Sequence, residues 1–154
     1  MNPTVRRWFK AIAGILGALV VLFGLLQLVP YGRTHSNPHT RAEPAWDSPR
    51  TRELANRACF NCHSNETTWP WYADVAPMSW LVQFDVDTAR EVMNFSEWQR
   101  TYKLSSYAGQ RVISGIMPPY KYRIAHPEAD LTPEETRELA RGLDATLIPH
   151  EAGN

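Results

Sequence analysis

The sequence has few cysteines, no excess of charge of either sign and no strongly basic region. Its 154 residues include two cysteines, 16 basic and 16 acidic side chains. Two cysteines exclude a small scaffold that several disulfides hold together. Residues 1–34 carry four basic side chains and no acidic ones, so the rest of the chain is net acidic. Because phosphate recognition needs a basic surface, this acidic body excludes nucleic acid as a partner.

One long apolar run lies near the N-terminus. Residues 11–29 read AIAGILGALVVLFGLLQLV, with no charge and a single polar side chain, Gln27. As a helix, this run spans roughly 28 Å, close to the ~30 Å hydrocarbon thickness of a bilayer. Arg6, Arg7 and Lys10 precede the run, which predicts a cytoplasmic N-terminus by the positive-inside rule. We therefore expect residues 1–29 to be an uncleaved membrane anchor; a cleaved secretory signal is the alternative.

The stretch that follows the anchor lacks apolar periodicity. Residues 30–47 include three prolines and two histidines, which is typical of a flexible tether. We expect His35 and His39 in this tether, and His150 in the C-terminal tail, to be solvated. Residues 48–154 then form the body of the protein.

The body has helix signals and no convincing strand pattern. Ser48-Pro49 predicts the start of a helix that runs to about Cys62. Apolar spacing predicts a second helix over about 79–93 and a third that ends near Gly115. The sequence Thr132-Pro133-Glu134-Glu135 is a capping box that predicts the start of the last helix. The fold class predicted is therefore all-α.

The chemistry of the chain lies in the sequence Cys59-Phe60-Asn61-Cys62-His63. This C-x-x-C-H pattern is the attachment signal for a c-type haem. Two cysteines three residues apart face one side of a helix end, where their sulfurs can form thioethers with two vinyl groups, and His63 can then ligate the iron. The competing interpretations are a thioredoxin-type redox pair, a zinc site and a simple disulfide. The redox pair lacks its βαβ context, and the zinc site lacks a further pair of ligands.

A second axial ligand has two candidates. Met117 lies in the sequence Gly115-Ile116-Met117-Pro118-Pro119, where the prolines favour a rigid loop. His126 is the alternative ligand. Met78 and Met93 fall on the apolar stripe of the second helix, so we expect both in the core.

Four aromatic residues follow the haem motif closely in the sequence. Their large apolar rings could line the pocket of a flat apolar haem, or could equally be ordinary core. They are Trp69, Trp71, Tyr72 and Trp80.

These motifs together resemble a small bacterial haem-binding domain family related to cytochrome c. The resemblance extends over roughly residues 48–146 and is carried by CFNCHSNETTWPWY, APMSW, NFS and MPP. It implies a cytochrome c-like helical fold, one covalent haem, and a place in the periplasm or on its membrane face. It also implies that Cys59 and Cys62 attach the haem, that His63 is the proximal ligand and that Met117 is the distal ligand.

These patterns together predict a membrane-anchored monohaem c-type cytochrome. We expect a single-pass protein of the bacterial inner membrane whose haem domain lies in the periplasm. It would carry single electrons between periplasmic or membrane redox proteins, as an electron carrier rather than an enzyme. The alternatives are a haem enzyme or gas sensor with an open distal position, and a haem subunit of a respiratory complex.

Overall fold

The computed structural model describes residues 2–98, 102 and 104–148. Within these residues the regular structure is helical, apart from an isolated bridge between Ala42 and Glu97, which confirms the all-α fold class. The α-helices are α1 (Pro3–Leu26), α2 (Pro49–Ala58), α3 (Phe60–His63), α4 (Met78–Val92), α5 (Ala108–Ile113), α6 (Tyr120–Ala125) and α7 (Pro133–Leu147). Short 3-10 helices cover Trp71–Asp74, Ser105–Tyr107 and Pro127–Ala129.

The chain divides into two compact units. Among the described residues, the first unit consists of residues 2–35 and 70–84, and the second unit consists of residues 36–69, 85–98, 102 and 104–148. Helix α1 belongs to the first unit, and the C-x-x-C-H motif belongs to the second. The residues of α4 are shared between the two ranges.

Two helix starts have the capping that their sequences predict. The Ser48 hydroxyl accepts a hydrogen bond from the Thr51 amide at 3.1 Å, and a proline opens α2. At α7, the Thr132 hydroxyl accepts from the Glu135 amide at 3.2 Å, and the Glu135 carboxylate accepts from the Thr132 amide at 3.0 Å. This reciprocal capping box satisfies backbone donors that a helix start otherwise leaves unpaired. Both predictions are confirmed.

Other boundaries differ from those predicted. The first predicted helix is divided at Cys59, whose φ of −128° is not helical, so α2 ends at Ala58 and α3 begins at Phe60. Helix α5 stops at Ile113, two residues before Gly115, whose φ of +72° cannot continue a helix. Helix α6 was not predicted, because six residues are too short to show a helical repeat.

The second unit has a continuous apolar core. Helices α2 and α5 both pack on α7, and Phe60 of α3 and the aromatic residues that follow α4 close the core. Gly142 of α7 touches Thr51 of α2 so closely that an added Cβ would overlap the threonine side chain. The core side chains are Leu54, Ala55, Ala58, Phe60, Met93, Phe95, Tyr102, Val112, Leu139, Ala140, Leu143 and Leu147.

The buried face of α4 differs from the predicted one. Met93, just beyond the helix end, is buried as expected, but Met78 is 43% exposed, so its placement in the core was wrong. The buried positions along the helix are Ser79, Gln83 and Val86. Because two of these three residues are polar, the apolar periodicity of the sequence indicates a neighbouring face of the helix rather than the buried one.

Helix α1 is the part of the described chain that is long and apolar enough to cross a membrane. It has 24 residues, a mean hydropathy of 2.3 in its most apolar window and no buried residue. Its N-cap is Asn2, whose side chain accepts a hydrogen bond from the Thr4 amide at 3.1 Å. The first unit therefore presents an apolar helix that is exposed along most of its length.

Residues 30–47, the predicted tether, make hydrogen bonds within both units. In the first unit, a His35 ring nitrogen lies 3.2 Å from the Ala73 carbonyl oxygen; in the second, the Arg41 amide donates to the Ser96 carbonyl at 2.9 Å. His35 is half-buried, so its predicted solvation was wrong, whereas His39 is exposed as predicted. His150 lies outside the described residues. The division of the chain at residues 29 and 47 stays a prediction.

Candidate functional site

The C-x-x-C-H motif lies at the junction of α2 and α3, in the second unit. The Cys59 amide continues the α2 hydrogen bonds to Ala55 at 2.8 Å, and the Cys59 carbonyl accepts from the amides of Cys62 and His63 at 3.1 and 2.8 Å. Cys59 therefore joins one helix to the next. The thiols of Cys59 and Cys62 are half-buried and are not bonded to each other.

Both thiols are neutral at physiological pH. Burial raises the pKa of Cys59 to about 12, and the nearby Cys62 adds to the shift. Burial and the charge of Asp85 raise the pKa of Cys62 to about 11. A catalytic redox pair needs a thiol with a lowered pKa, since the thiolate is the nucleophile. The electrostatics of this site therefore oppose the thioredoxin-type interpretation.

His63 is oriented by backbone carbonyl groups at the end of α4. Its Nδ1 lies 3.1 Å from the Ala89 oxygen and 3.0 Å from the Met93 oxygen. Because a carbonyl oxygen can only accept, Nδ1 carries the proton and Nε2 keeps its lone pair. Burial lowers the pKa of His63, and the two carbonyls oppose that shift only in part. The imidazole is thus neutral, with Nε2 suited to a metal, as metal-binding histidines usually are.

A buried polar network fixes the loop that follows His63. The His63 carbonyl accepts from the Phe95 amide at 2.8 Å. The Asn94 amide group donates to the Asn65 side-chain oxygen at 2.8 Å, and the Asn65 backbone amide donates to the Ser96 hydroxyl at 2.9 Å. These groups are buried and satisfied, so they specify one arrangement of the loop around the histidine.

Arg90 of α4 stabilises the same loop, and sequence reasoning missed it. Its guanidinium donates to the Ser64 and Ser36 carbonyls at 2.8 and 2.9 Å, and to side-chain oxygens of Thr67 and Asn37 at 3.0 and 3.1 Å. Burial lowers the pKa of Arg90, with opposing effects of nearby Asp87 and Cys62. No local signal could have found Arg90, because its partners lie 23 or more positions away in the sequence.

The motif is connected to α6, the helix that follows the Met117 loop. The Asn61 amide donates to the Tyr122 hydroxyl at 2.7 Å, and its oxygen accepts from the Thr68 backbone at 2.9 Å. Lys121 of α6 also pairs with Asp85 of α4 at 3.0 Å. These contacts hold α6 against both the haem motif and the helix that orients His63.

Met117 lies in a fixed loop with its side chain accessible. Its amide donates to the Arg111 carbonyl at 3.1 Å, and the next residue, Pro118, is buried. The Met117 residue itself is 36% exposed, which leaves its thioether available to a bound group. Apolar residues flank this loop and are also exposed; they are Ile113, Ile116, Tyr120 and Ile124.

His126, the alternative axial ligand, has structural contacts. Its ring stacks on that of Tyr122, with centroids 4.2 Å apart and an interplanar angle of 16°. Its Nδ1 lies 3.1 Å from a carboxylate oxygen of Glu128. These contacts fix the end of α6.

The four aromatic residues proposed for the pocket are divided between the units. Trp69, in the second unit, donates from its indole nitrogen to Asn37 at 3.3 Å. In the first unit, Trp71 is 80% exposed, and Tyr72 meets it edge-on with centroids 5.9 Å apart. Trp80 is half-buried, and its indole N–H has no hydrogen-bond partner among the described residues. Their role as pocket residues stays a prediction.

A different group of aromatic residues packs around Phe60 of the motif. The Phe60 and Phe95 rings stack with centroids 5.4 Å apart, and Trp46 contacts both at 6.1 and 5.1 Å. Trp98 stacks on the other side of Phe95 at 6.0 Å. These residues are far apart in the sequence, so no local pattern indicated the cluster. It supports the Cys59–His63 segment from the core side.

Two of the remaining alternatives find no support in the site. The described residues contain no group of three or more His, Cys, Asp or Glu side chains that could hold a metal ion, whereas structural zinc takes four ligands. The two cysteines are also free rather than bridged. What remains is a pair of neutral thiols beside an oriented neutral histidine, an arrangement that is compatible with the haem attachment predicted from the sequence.

Comparison with known proteins identifies the family. The model of the haem-binding domain family matches residues 21–145, most of the chain, so this protein belongs to that family. The match begins inside α1, earlier than the motifs alone predicted. No curated protein and no solved structure matches the chain.

The residues of the second unit fit a haem. Cys59 and Cys62 provide unpaired thiols, and His63 provides a nitrogen ligand whose other ring nitrogen is already bonded. The exposed apolar residues around Met117 are surface that a flat apolar group would cover.

Proposed function

We propose that this protein is a membrane-anchored monohaem c-type cytochrome that carries single electrons between periplasmic or membrane redox proteins. One observation carries the proposal: the Nδ1 of His63 is bonded to the Ala89 and Met93 carbonyls, beside two unpaired neutral thiols. The bound haem would supply an iron that takes up and releases one electron. The chain's own residues hold that iron and set its surroundings.

Each site residue has a distinct role in this proposal. Cys59 and Cys62 would form thioethers with the two haem vinyl groups, and His63 would be the proximal ligand. Met117 is the proposed distal ligand, because its thioether is accessible in a fixed loop. His126 is the alternative distal ligand; its ring stacks on Tyr122, and its Nδ1 lies beside a carboxylate oxygen of Glu128. A methionine ligand raises the reduction potential relative to two histidines.

The anchor is part of the proposal. Arg6, Arg7 and Lys10 would keep the N-terminus in the cytoplasm, and α1 would cross the inner membrane once. The rest of the chain would then face the periplasm, where c-type haem is attached.

The first experiment measures covalent haem directly. The full chain is produced in a bacterium with the machinery for c-type haem attachment, and purified membranes are tested by haem staining after denaturing electrophoresis. The proposal predicts a stained band at 17.6 kDa plus the haem, and one haem per chain by the pyridine haemochrome spectrum. A chain that releases all its haem on denaturation would contradict it.

The distal ligand is tested separately by Met117→Ala, with the exposed Met78→Ala as the matched control. Losing the thioether should lower the reduction potential and open the iron to added ligands, whereas the control should keep the parent spectrum. If Met117→Ala leaves the potential and spectrum unchanged, His126 becomes the ligand to replace. If the distal position of the iron is already open in the parent protein, the result would favour the haem enzyme or gas sensor.

A further inference from the structure

The side chain of Gln27, at the end of α1, uses its full hydrogen-bonding capacity within the first unit. Its Nε2 donates to the Ala76 and Phe23 carbonyls at 2.9 and 3.2 Å. Its Oε1 accepts from the Ala76 amide at 3.0 Å and from the Arg33 guanidinium at 2.8 Å. A primary amide has two donors and two acceptor sites, so all four are satisfied by protein. Such saturation is what a polar group needs where water is scarce.

The length of α1 sets the depth of this contact, on the proposed function's premise that α1 spans the membrane. Lys10 is the last charged residue before the apolar run, and Gln27 follows it by 17 positions. At ~1.5 Å per residue this helical distance is about 25 Å, less than the ~30 Å hydrocarbon core. With Lys10 at the cytoplasmic boundary, Gln27 lies about 5 Å short of the outer boundary. Ala76, which is bonded to Gln27 through both backbone groups, must lie at the same depth.

A second contact ties the same segment to the chain that leaves the membrane. Gly32 has a φ of +81°, and a Cβ at this position would overlap the Ser79 carbonyl. His35 lies 3.2 Å from the Ala73 carbonyl oxygen. Residues 73–80 are thus held against the end of α1 at several points rather than at one.

The composition of residues 70–84 suits a lipid boundary rather than bulk water. The sequence PWYADVAPMSWLVQF has one charged residue, Asp74, and four aromatic ones. Trp71 is 80% exposed, Phe84 59% and Leu81 42%. Leu81 and Phe84 lie on the side of α4 opposite the buried Ser79 and Gln83. Tryptophan and tyrosine are enriched at the level of the lipid headgroups, where an apolar ring and a polar edge are both satisfied.

We propose that residues 70–84 lie in the outer lipid–water interface of the bilayer that α1 spans, with Trp71, Leu81 and Phe84 in contact with lipid. The occupant of this apolar surface is the phospholipid itself. The first unit is then a membrane-bound platform made of one spanning helix and one interfacial segment, both joined at Gln27.

The test uses the full-length holoprotein in liposomes that contain a phospholipid with a diazirine near the headgroup end of its acyl chain. After illumination, mass spectrometry locates the lipid adducts. We expect adducts in α1 and in residues 70–84, and none in α7, which serves as the internal reference. Trp71→Ser should lose the adduct at that position, and Trp71→Ser/Leu81→Ser/Phe84→Ser should lose labelling over the whole segment. Tyr107→Ser, at an exposed aromatic residue of the second unit, should leave the pattern unchanged.

The two ways of failing are distinguishable. Adducts in α1 without adducts in residues 70–84 would overturn the interfacial segment while the anchor stands. Labelling of residues 70–84 at the same level as α7 would also overturn the interfacial placement of this segment. Absence of adducts in α1 itself would instead contradict the membrane anchor of the proposed function, and the interfacial segment with it. The single Trp71→Ser variant keeps the test valid if the triple variant does not fold, since Trp71 is mostly exposed.

Discussion

The two units of this protein differ in the exposure of their large apolar side chains. In the second unit, Leu54, Phe60, Phe95 and their neighbours form a closed core beneath a charged surface. In the first unit, the buried apolar residues are Ala73 and Ala76, and the large apolar side chains of α1 are exposed. A protein surface in water rarely leaves so large an apolar area uncovered. This exposure of α1 is what the proposed membrane anchor requires, whereas the core of the second unit is closed by protein alone.

Their polar groups differ in the same way. In the second unit, a buried and hydrogen-bonded network that includes Asn65, Asn94 and Ser96 surrounds the loop that positions His63. The first unit has a single polar side chain in its apolar run, Gln27, which is bonded at every position available to it. Polar groups thus orient His63 in one unit and join two chain segments in the other.

The largest expected effect concerns the site of the second unit. Replacing Cys59 and Cys62 with alanine should abolish covalent haem, because no other cysteine in the sequence can replace them. Haem staining after denaturing electrophoresis measures the result. Asn56→Ala, an exposed position of α2, is the control and should retain the stain. Haem that resists denaturation in the double variant would contradict the attachment site.

A matched pair of leucines tests the comparison of the cores. Leu139→Ala in α7 should lower the free energy of unfolding by about 2–5 kcal/mol, because it leaves a cavity in the fully buried core. The measurement is denaturant unfolding of the detergent-solubilised protein. Leu19→Ala, on the exposed surface of α1, should leave the unfolding of the second unit unchanged. If the two substitutions lowered the free energy of unfolding equally, the difference in burial between the two units would be contradicted.

The capping box of α7 provides a smaller effect. Thr132→Ala removes the acceptor of the Glu135 amide and should cost about 1 kcal/mol in unfolding free energy. Thr132→Ser keeps the hydroxyl and should recover most of the loss. Denaturant midpoints at constant slope measure both variants. A Thr132→Ala protein as stable as the parent would show that the box adds nothing to α7.

The smallest effect is on the acid dependence of stability. Hydrogen bonds from Arg57 and from the Thr132 amide lower the pKa of Glu135 from 4.5 to about 2. A folded-state pKa below the unfolded one means that this stabilisation is complete above about pH 4.5 and is lost as the pH falls to about 2. Glu135→Gln should therefore flatten the unfolding profile of the second unit in this pH range. If the unfolding profile of Glu135→Gln ran parallel to that of the parent protein, Glu135 would not contribute to the pH dependence of stability.

Sequence patterns predicted what depends on neighbours in the chain. Ser48 and the Thr132 capping box act over a few residues, and the helix starts that they predict are confirmed. The C-x-x-C-H motif is equally local, and its role in haem attachment stays a prediction. The Gln27–Ala76 contact, Arg90 and the aromatic cluster around Phe60 join distant positions, so local patterns did not indicate them.

The faces of helices were harder to predict than their existence. On α4, polar Ser79 and Gln83 are buried while Met78 is exposed, which reverses what hydropathy alone suggests. Exposed apolar residues carry information only when their surroundings are known, since lipid or a prosthetic group can cover them. Trp71 illustrates this point, because its exposure fits both the predicted haem pocket and the proposed lipid contact.

The visible spectrum of the purified reduced protein, recorded with and without carbon monoxide, shows whether both axial positions of the iron are filled. If His63 and Met117 both ligate the iron, we expect the gas to leave the Soret band in place. A shifted Soret band would contradict this expectation, because an accessible iron indicates catalysis or sensing rather than electron transfer.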